Sequence, residues 1–288
     1  MMKHLFSLAG RTALVTGGSR GIGKMIARGF IAQGARVYIA ARKAAQCDET
    51  AAELAKEGGA CFSMPANIST VEGVQALAAA VTAREPKLDI LVNNAGAAWA
   101  AEFDTFPENG WDKVMDLNVK TPFFLTQALH GALKAAATRE RPAKVINIAS
   151  IDGIFVNPLE TYSYHASKAG LIHLTRRMAA KLIADNIVVS AIAPGPFQSD
   201  MNTAARDHPE QVAQRVPAKR IGTDEDMAGA AIYRIARRRL CGRRDTRGRW
   251  RRRLCESRFR RCRLEGLKFS AGSGRRPSRE PGRSLSRI

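Results

Sequence analysis

No apolar run in this sequence is long enough to cross a bilayer; the longest, such as 187–193, have the length of a strand. The N-terminal Met1-Met2-Lys3-His4-Leu5-Phe6 leads into a polar stretch without an apolar export region, which makes the cytoplasm the expected compartment. The five cysteines, at 47, 61, 241, 255 and 262, are odd in number and supply no disulfide framework. The five histidines, at 4, 130, 165, 173 and 208, show neither metal-ligand spacing nor the partners of a nucleophilic triad, so no metal is expected. Internal repeats and interdomain linkers are missing before residue 234. A chain of 288 residues holds one sizeable α/β core and falls short of two ordinary domains.

Acidic residues are scarce in one region only. The net charge of +20 suggests a nucleic-acid partner until it is divided along the chain. Residues 234–288 contain 21 Lys and Arg against 4 Asp and Glu, whereas the first 233 contain 25 against 22. The body is nearly neutral, and the basic character belongs to the tail, which also holds three of the five cysteines.

In the body, short apolar runs alternate with helix-like stretches, the pattern of a parallel sheet covered on both faces. Strands are expected over 12–16, 36–41, 61–64, 88–92, 144–148 and 187–193. Between them, helices are expected to about 33, over 44–57, from a Ser69/Glu72 capping box to about 84, over 111–136, over 164–182, and from 223. Pro122 should bend the fourth of these, and Thr223 with Asp226 stands at capping spacing for the last. The expected fold is a single doubly wound, Rossmann-type α/β domain with a mostly parallel sheet.

The first strand runs into Gly17-Gly18-Ser19-Arg20-Gly21-Ile22-Gly23. Glycines at a strand-to-helix turn let a pyrophosphate approach the backbone, and the helix then offers it unpaired N–H groups and a positive end. The spacing Gly17-x3-Gly21-x-Gly23 differs from G-x-G-x-x-G, and a tight turn without a ligand is the alternative. After the second strand, Ala40-Ala41-Arg42-Lys43 lacks the acid that would bind an NAD ribose. Arg20 and Arg42 suit a 2′-phosphate through guanidinium geometry, so NADP is favoured over NAD.

Tyr164-His165-Ala166-Ser167-Lys168 places a phenol and an ammonium four residues apart, on one helix face. A nearby cation stabilises phenolate and lowers the phenol's pKa. Ser150 follows the fifth strand, at the carboxyl edge where open α/β sheets bind ligands. Tyr162 competes for the acid role, but its six-residue separation from Lys168 takes it off the shared stripe.

With these motifs in order, residues 7–233 resemble the short-chain dehydrogenases/reductases. The glycine turn is similar to that family's cofactor motif, and Asn93-Asn94-Ala95-Gly96 to the segment that supports the sheet and lines the adenosine side. Asn118, Ser150, Tyr164 and Lys168 match its catalytic tetrad, and Pro194-Gly195 with Ser199 its nicotinamide border. The resemblance implies NADP bound by Gly17, Ser19, Arg20, Gly21, Ile22, Gly23, Arg42, Asn67, Ile68, Asn94, Ala95 and Gly96. Tyr164, Lys168, Pro194, Gly195, Phe197 and Ser199 complete that set. It also implies Tyr164 as general acid or base, Lys168 lowering its pKa and binding the nicotinamide ribose, Ser150 polarising the substrate oxygen, and Asn118 positioning Lys168 through a water-linked path. Asn67 stands where the family commonly has Asp, and its carbonyl oxygen can still accept from an adenine amino group.

Specificity is expected from 97–103, 151–161 and the lid-length segment 196–217, where Trp99, Phe103, Ile154, Phe155, Phe197 and Met201 make either an apolar pocket or ordinary core. The body is most similar to the 3-oxoacyl-acyl-carrier-protein reductases, including their rhamnolipid-associated relatives. This implies reduction of a small or carrier-bound 3-oxoacyl thioester by NADPH in a homotetramer or dimer. Polyol, gluconate and other ketone reductases share nearly the same motifs, and a degenerate cofactor-binding protein is the non-enzymatic alternative.

The family continues after the last helix with a glycine, a seventh strand and an Asp-Gly-Gly segment. Here the chain reads Arg237-Arg238-Arg239-Leu240-Cys241-Gly242-Arg243-Arg244 and stays rich in Arg, Gly, Ser and Pro. A shifted reading frame in GC-rich DNA gives such a composition. The expected division is therefore a catalytic domain over 1–236 and an aberrant or disordered tail over 237–288, which impairs activity and assembly. A basic arm binding nucleic acid nonspecifically is the alternative to the shifted frame.

Overall fold

The computed structural model describes residues 6–236. Six strands, β1 (Thr12–Thr16), β2 (Arg36–Ala41), β3 (Ala60–Pro65), β4 (Ile90–Asn93), β5 (Ala143–Ile148) and β6 (Ile187–Ile192), form one sheet in the order β3-β2-β1-β4-β5-β6. Every neighbouring pair is parallel. The order reverses between β1 and β4, which opens a crevice beyond their carboxyl ends, where ligands of such sheets bind.

Helices cover both faces because successive strand residues point to opposite sides. Ala13, Val15, Val37 and Ile39 pack with α1 (Gly21–Ala32), α2 (Ala44–Lys56) and α10 (Asp224–Ala236). Leu14, Tyr38, Leu91 and Val145 pack with α3 (Val71–Arg84), α5 (Thr121–Ala128), α6 (His130–Ala136) and α7 (Tyr162–Leu182). β4 and β5 are buried along their whole length, which explains their nearly continuous apolar character. α10 lies close on α1: a Cβ on Gly29 would come 2.4 Å from the Ala228 Cβ. Arg28 also joins Glu53 and Glu57 of the α2 region to Asp224 of α10.

Several expected boundaries move. The α3 cap is Thr70, not Ser69: the Thr70 hydroxyl accepts from the Gly73 N–H at 3.2 Å, while Ser69 binds Asn67. The fourth strand runs from Ile90; at its start the Asp89 carboxylate takes the Thr12 N–H at 3.0 Å, while the Asp89 backbone still bonds to Thr12 and Lys144. The single helix expected over 111–136 is instead α4 (Glu108–Met115), a wide π-type turn over Asp116–Lys120, then α5 and α6. Pro122 has no N–H for the Asn118 carbonyl four residues earlier, and the turn widens at that point. Thr223 and Asp226 cap α10 reciprocally, as expected.

The segment 196–217 carries α8 (Thr203–Asp207) and α9 (Pro209–Arg215). Among the described residues no helix is long and apolar enough to cross a membrane. The positions from 237 onward, where the expected tail begins and a seventh strand would belong, lie outside the described residues.

Candidate active site

The glycine turn is built by close contacts. The Thr16 hydroxyl accepts from the N–H groups of Asn94 and Ala95 at 3.0 and 3.1 Å and donates to the Val92 carbonyl at 3.2 Å. The Asn94 amide donates to the carbonyls of Thr16 and Gly17 at 2.9 and 3.2 Å. Gly17 turns the chain with φ of +64°, and a Cβ on Gly23 would lie 2.2 Å from the Gly17 oxygen. Arg20, the residue before α1, gives the helix no side-chain cap, and the first turn has no acid. Its N–H groups and positive end are left to the cleft.

That cleft, about 220 Å³ and open to solvent, follows the crevice at the carboxyl edge of β1 and β4. Gly17, Ser19, Arg20, Gly21 and Ile22 line its floor, and Asn94, Ala95 and Gly96 continue it towards Tyr164 and Lys168. Ala40, Ala41, Arg42 and Lys43 form one end wall beside Asn67 and Ile68. The Asn67 carbonyl oxygen already accepts from the Ser69 N–H at 3.3 Å and hydroxyl at 2.9 Å, so any adenine amino group would share it. Arg42 and Lys43 are exposed on the wall. Arg20 is ion-paired with Asp200, which also holds Arg206 at 3.2 Å.

At the other end, α7 presents the candidate pair Tyr164 and Lys168. Lys168 is buried; its Nζ donates to the Ile148 carbonyl at 2.9 Å and stands 5.4 Å from the Tyr164 ring centroid. Burial lowers its pKa to about 8, against a smaller raising influence of Asp152. The Tyr164 phenol has a raised pKa: burial raises it most, the Ser150 hydroxyl lowers it, and Asp152 adds a further rise. The helix spacing led us to expect a lowering by Lys168, yet burial dominates and keeps the phenol protonated.

Ser150 follows β5 and opens the short turn Ile151–Gly153. Its oxygen accepts from the Asp152 N–H at 3.1 Å and donates to the Asp152 carboxylate at 3.3 Å. Asn118 sits in the π-type turn, where its amide grips Ala97 from both sides, accepting from the N–H at 2.8 Å and donating to the carbonyl at 2.9 Å. It also donates to the Ser167 hydroxyl at 2.9 Å. Gly96 lies between the tetrad members: a Cβ there would be 3.1 Å from Asn118 Oδ1 and 3.7 Å from Lys168 Nζ. Tyr162 points away, donating to Glu160 and packing edge-on to Phe103 and Phe106.

The remaining candidates divide. Ser199 lines the cleft facing Gly21. The Pro194 carbonyl accepts from the Ile151 N–H at 3.0 Å, tying the segment after β6 to the Ser150 turn, with Gly195 in open space beside it. Phe197 lies on Gly222 and packs on the core, and Trp99 packs on Gly110 under Lys113. Phe103, Ile154, Phe155 and Met201 are exposed. Sequence reasoning gave no role to Ser167, Asp152 and Asp200; of these only Asp152 carried a signal, an acid two residues from Ser150.

Residues 11–210, which hold this cleft from the glycine turn to Ser150, Tyr164 and Lys168, match the family model described as short chain dehydrogenase, and the chain belongs to that family. It is 45% identical over 234 residues to the rhamnolipids biosynthesis 3-oxoacyl-[acyl-carrier-protein] reductase of Pseudomonas aeruginosa, covering 80% of this chain and 91% of the relative. A solved structure described as the Pseudomonas aeruginosa RhlG/NADP active-site complex superposes with a TM-score of 0.77 at 46% identity, over 80% of this chain and 91% of that one. The 2-dehydro-3-deoxy-D-gluconate 5-dehydrogenase of Escherichia coli is 35% identical, over 81% of this chain and 91% of its own.

Proposed function

We propose that the protein reduces a carbonyl to an alcohol with NADPH, and that its substrate is a 3-oxoacyl thioester, converted to the 3-hydroxyacyl thioester. The observation that carries the reading is the half-buried Tyr164, its phenol pKa raised by desolvation, beside Ser150 and Lys168 at the end of a cleft whose far wall bears Arg42 and no acid. The cleft fits the cofactor on its own evidence. Gly23 admits no Cβ against the Gly17 oxygen, and α1 leaves its first-turn N–H groups uncapped. Similarity to the NADP-complexed Pseudomonas protein and to a 3-oxoacyl reductase supports the same choice.

NADPH, which the Gly17–Gly23 turn and Arg42 would hold, would supply the hydride for the carbonyl carbon. Tyr164 donates its phenolic proton to the carbonyl oxygen as negative charge gathers there. Ser150, turning its one hydroxyl proton from Asp152, orients that oxygen, and Lys168 is held by Ile148 where its ammonium faces the Tyr164 ring and would meet the nicotinamide ribose. Asn118 fixes the 95–97 backbone that shapes the floor and, through Ser167, the first turn of α7. Association into dimers or tetramers is part of the proposal, as for the family. Residues 1–236 are proposed to carry the activity.

A panel of 3-oxoacyl thioesters and sugar acids, assayed with NADPH, tests the reading. Turnover of the thioesters, lost in Tyr164→Phe, is expected. Turnover of gluconate-type ketones alone would move the substrate assignment to the second class of relatives, and no turnover of any carbonyl would overturn the enzyme.

A further inference from the structure

We propose that Asp152 is a specificity-determining residue: it disfavours substrates with a carboxylate beside the reacting carbonyl and thereby selects the neutral ester or thioester over the free 3-oxo acid. The inference rests on the reading of the site as a carbonyl reductase and extends it to a residue outside the tetrad.

The geometry brings the charge to the reacting oxygen. One Asp152 carboxylate oxygen accepts from Ser150 Oγ at 3.3 Å, and the other accepts from the Asn157 amide at 2.9 Å, which holds the group in place. A substrate oxygen that takes the single Ser150 hydroxyl proton breaks that bond but leaves Oγ beside the carboxylate, so it lies within about 6 Å of it. A carboxylate two bonds from the same carbonyl carbon falls in the same small region. The field of Asp152 is felt there, since it raises the pKa of both Tyr164 and Lys168.

No ion pair engages Asp152 among the described residues, although its charge supports that of Lys168. Lys168 is buried with its Nζ on the Ile148 carbonyl. Arg20, Arg42 and Lys43 lie at the glycine turn and the end of β2, and Arg20 is already paired with Asp200. Around Asp152 the turn exposes Ile151, Ile154 and Phe155, which offer an acyl chain apolar surface and give an anion nothing to bind. Like charges about 6 Å apart in partly hydrated surroundings disfavour binding by about tenfold.

Acetoacetate and ethyl acetoacetate test this, because they share the carbonyl and differ in that charge. The ratio of kcat/KM, ester over acid, is measured with NADPH for the wild type, Asp152→Asn and Asp152→Glu. The wild type should prefer the ester, Asp152→Asn should lower the ratio by about tenfold, and Asp152→Glu should keep it within about threefold. Quenching of bound NADPH fluorescence gives the same ratio from binding alone. Failure to reduce either compound then counts against the proposed activity, while the binding ratio still tests Asp152. No ester preference in the wild type, or the same ratio in all three proteins, overturns the proposal.

Discussion

Replacing Arg42 by Ala should separate the two nicotinamide cofactors. Three cations, Arg20, Arg42 and Lys43, line the end of the cleft proposed for the adenosine, but they are not equivalent. Arg20 is committed to Asp200, and no ion pair engages Arg42 or Lys43 among the described residues. Arg42 follows β2 directly, at the place where an acid would bind an unphosphorylated ribose. A charged hydrogen bond to a phosphate contributes about 1.5–3 kcal/mol, so removing one lowers kcat/KM for NADPH by about 10- to 150-fold. NADH, without the phosphate, should change by less than about threefold. Arg20→Ala should have the smaller effect, because a bond from Arg20 to the phosphate requires breaking the one to Asp200. Initial rates of nicotinamide oxidation with each cofactor, for the wild type and both variants, provide the measurement. An equal loss with both cofactors, or a larger loss in Arg20→Ala than in Arg42→Ala, would refute the reasoning.

Tyr164→Phe removes the transferable proton and keeps the ring, so kcat should fall by about 10²–10⁴ with NADPH binding retained; near-normal turnover would return Tyr162 to consideration. Lys168 titrates at about 8 in the fold against its usual 10.5, so its charged form costs stability below about pH 8 and this cost is relieved as pH rises towards 10.5. Urea denaturation should therefore show the stability of the wild type relative to Lys168→Met rising across that window, and a flat difference would contradict it. Gly23→Ala sets a methyl 2.2 Å from the Gly17 oxygen, and its dissociation constant for NADPH, by fluorescence titration, should rise by at least about tenfold although alanine favours the helix. For the proposed shifted frame, coding DNA sequenced across codons 230–245 should give, in another frame, a glycine, a strand-like run and an Asp-Gly-Gly segment. A frame without them favours a genuine basic arm.

Much of this architecture is legible in short stretches of sequence. Buried parallel strands need apolar residues on both faces, so 12–16, 144–148 and 187–193 stand out without knowledge of their partners, within one residue of the strands observed. Caps are less legible. Ser69 and Thr70 both offer a hydroxyl, and Asn67 binds the first, leaving the second for Gly73. The continuous helix expected over 111–136 fails for a similar reason. Its apolar spacing persists, while the missing N–H of Pro122 widens the chain at Asn118 and turns that amide towards Ala97.

The sequence by itself determined the order of strands and helices, the glycine turn and the Tyr164/Lys168 pair, because each depends on backbone geometry within a few residues. Tertiary structure alone decided that Arg20 is engaged by Asp200, 180 positions away, and that Arg42 is left on the cleft wall. It also decided that burial, more than Lys168, governs the Tyr164 phenol, and that a carboxylate stands against Ser150. Charge and hydration at the site are sums over everything the sheet brings together, and no local spacing contains those sums.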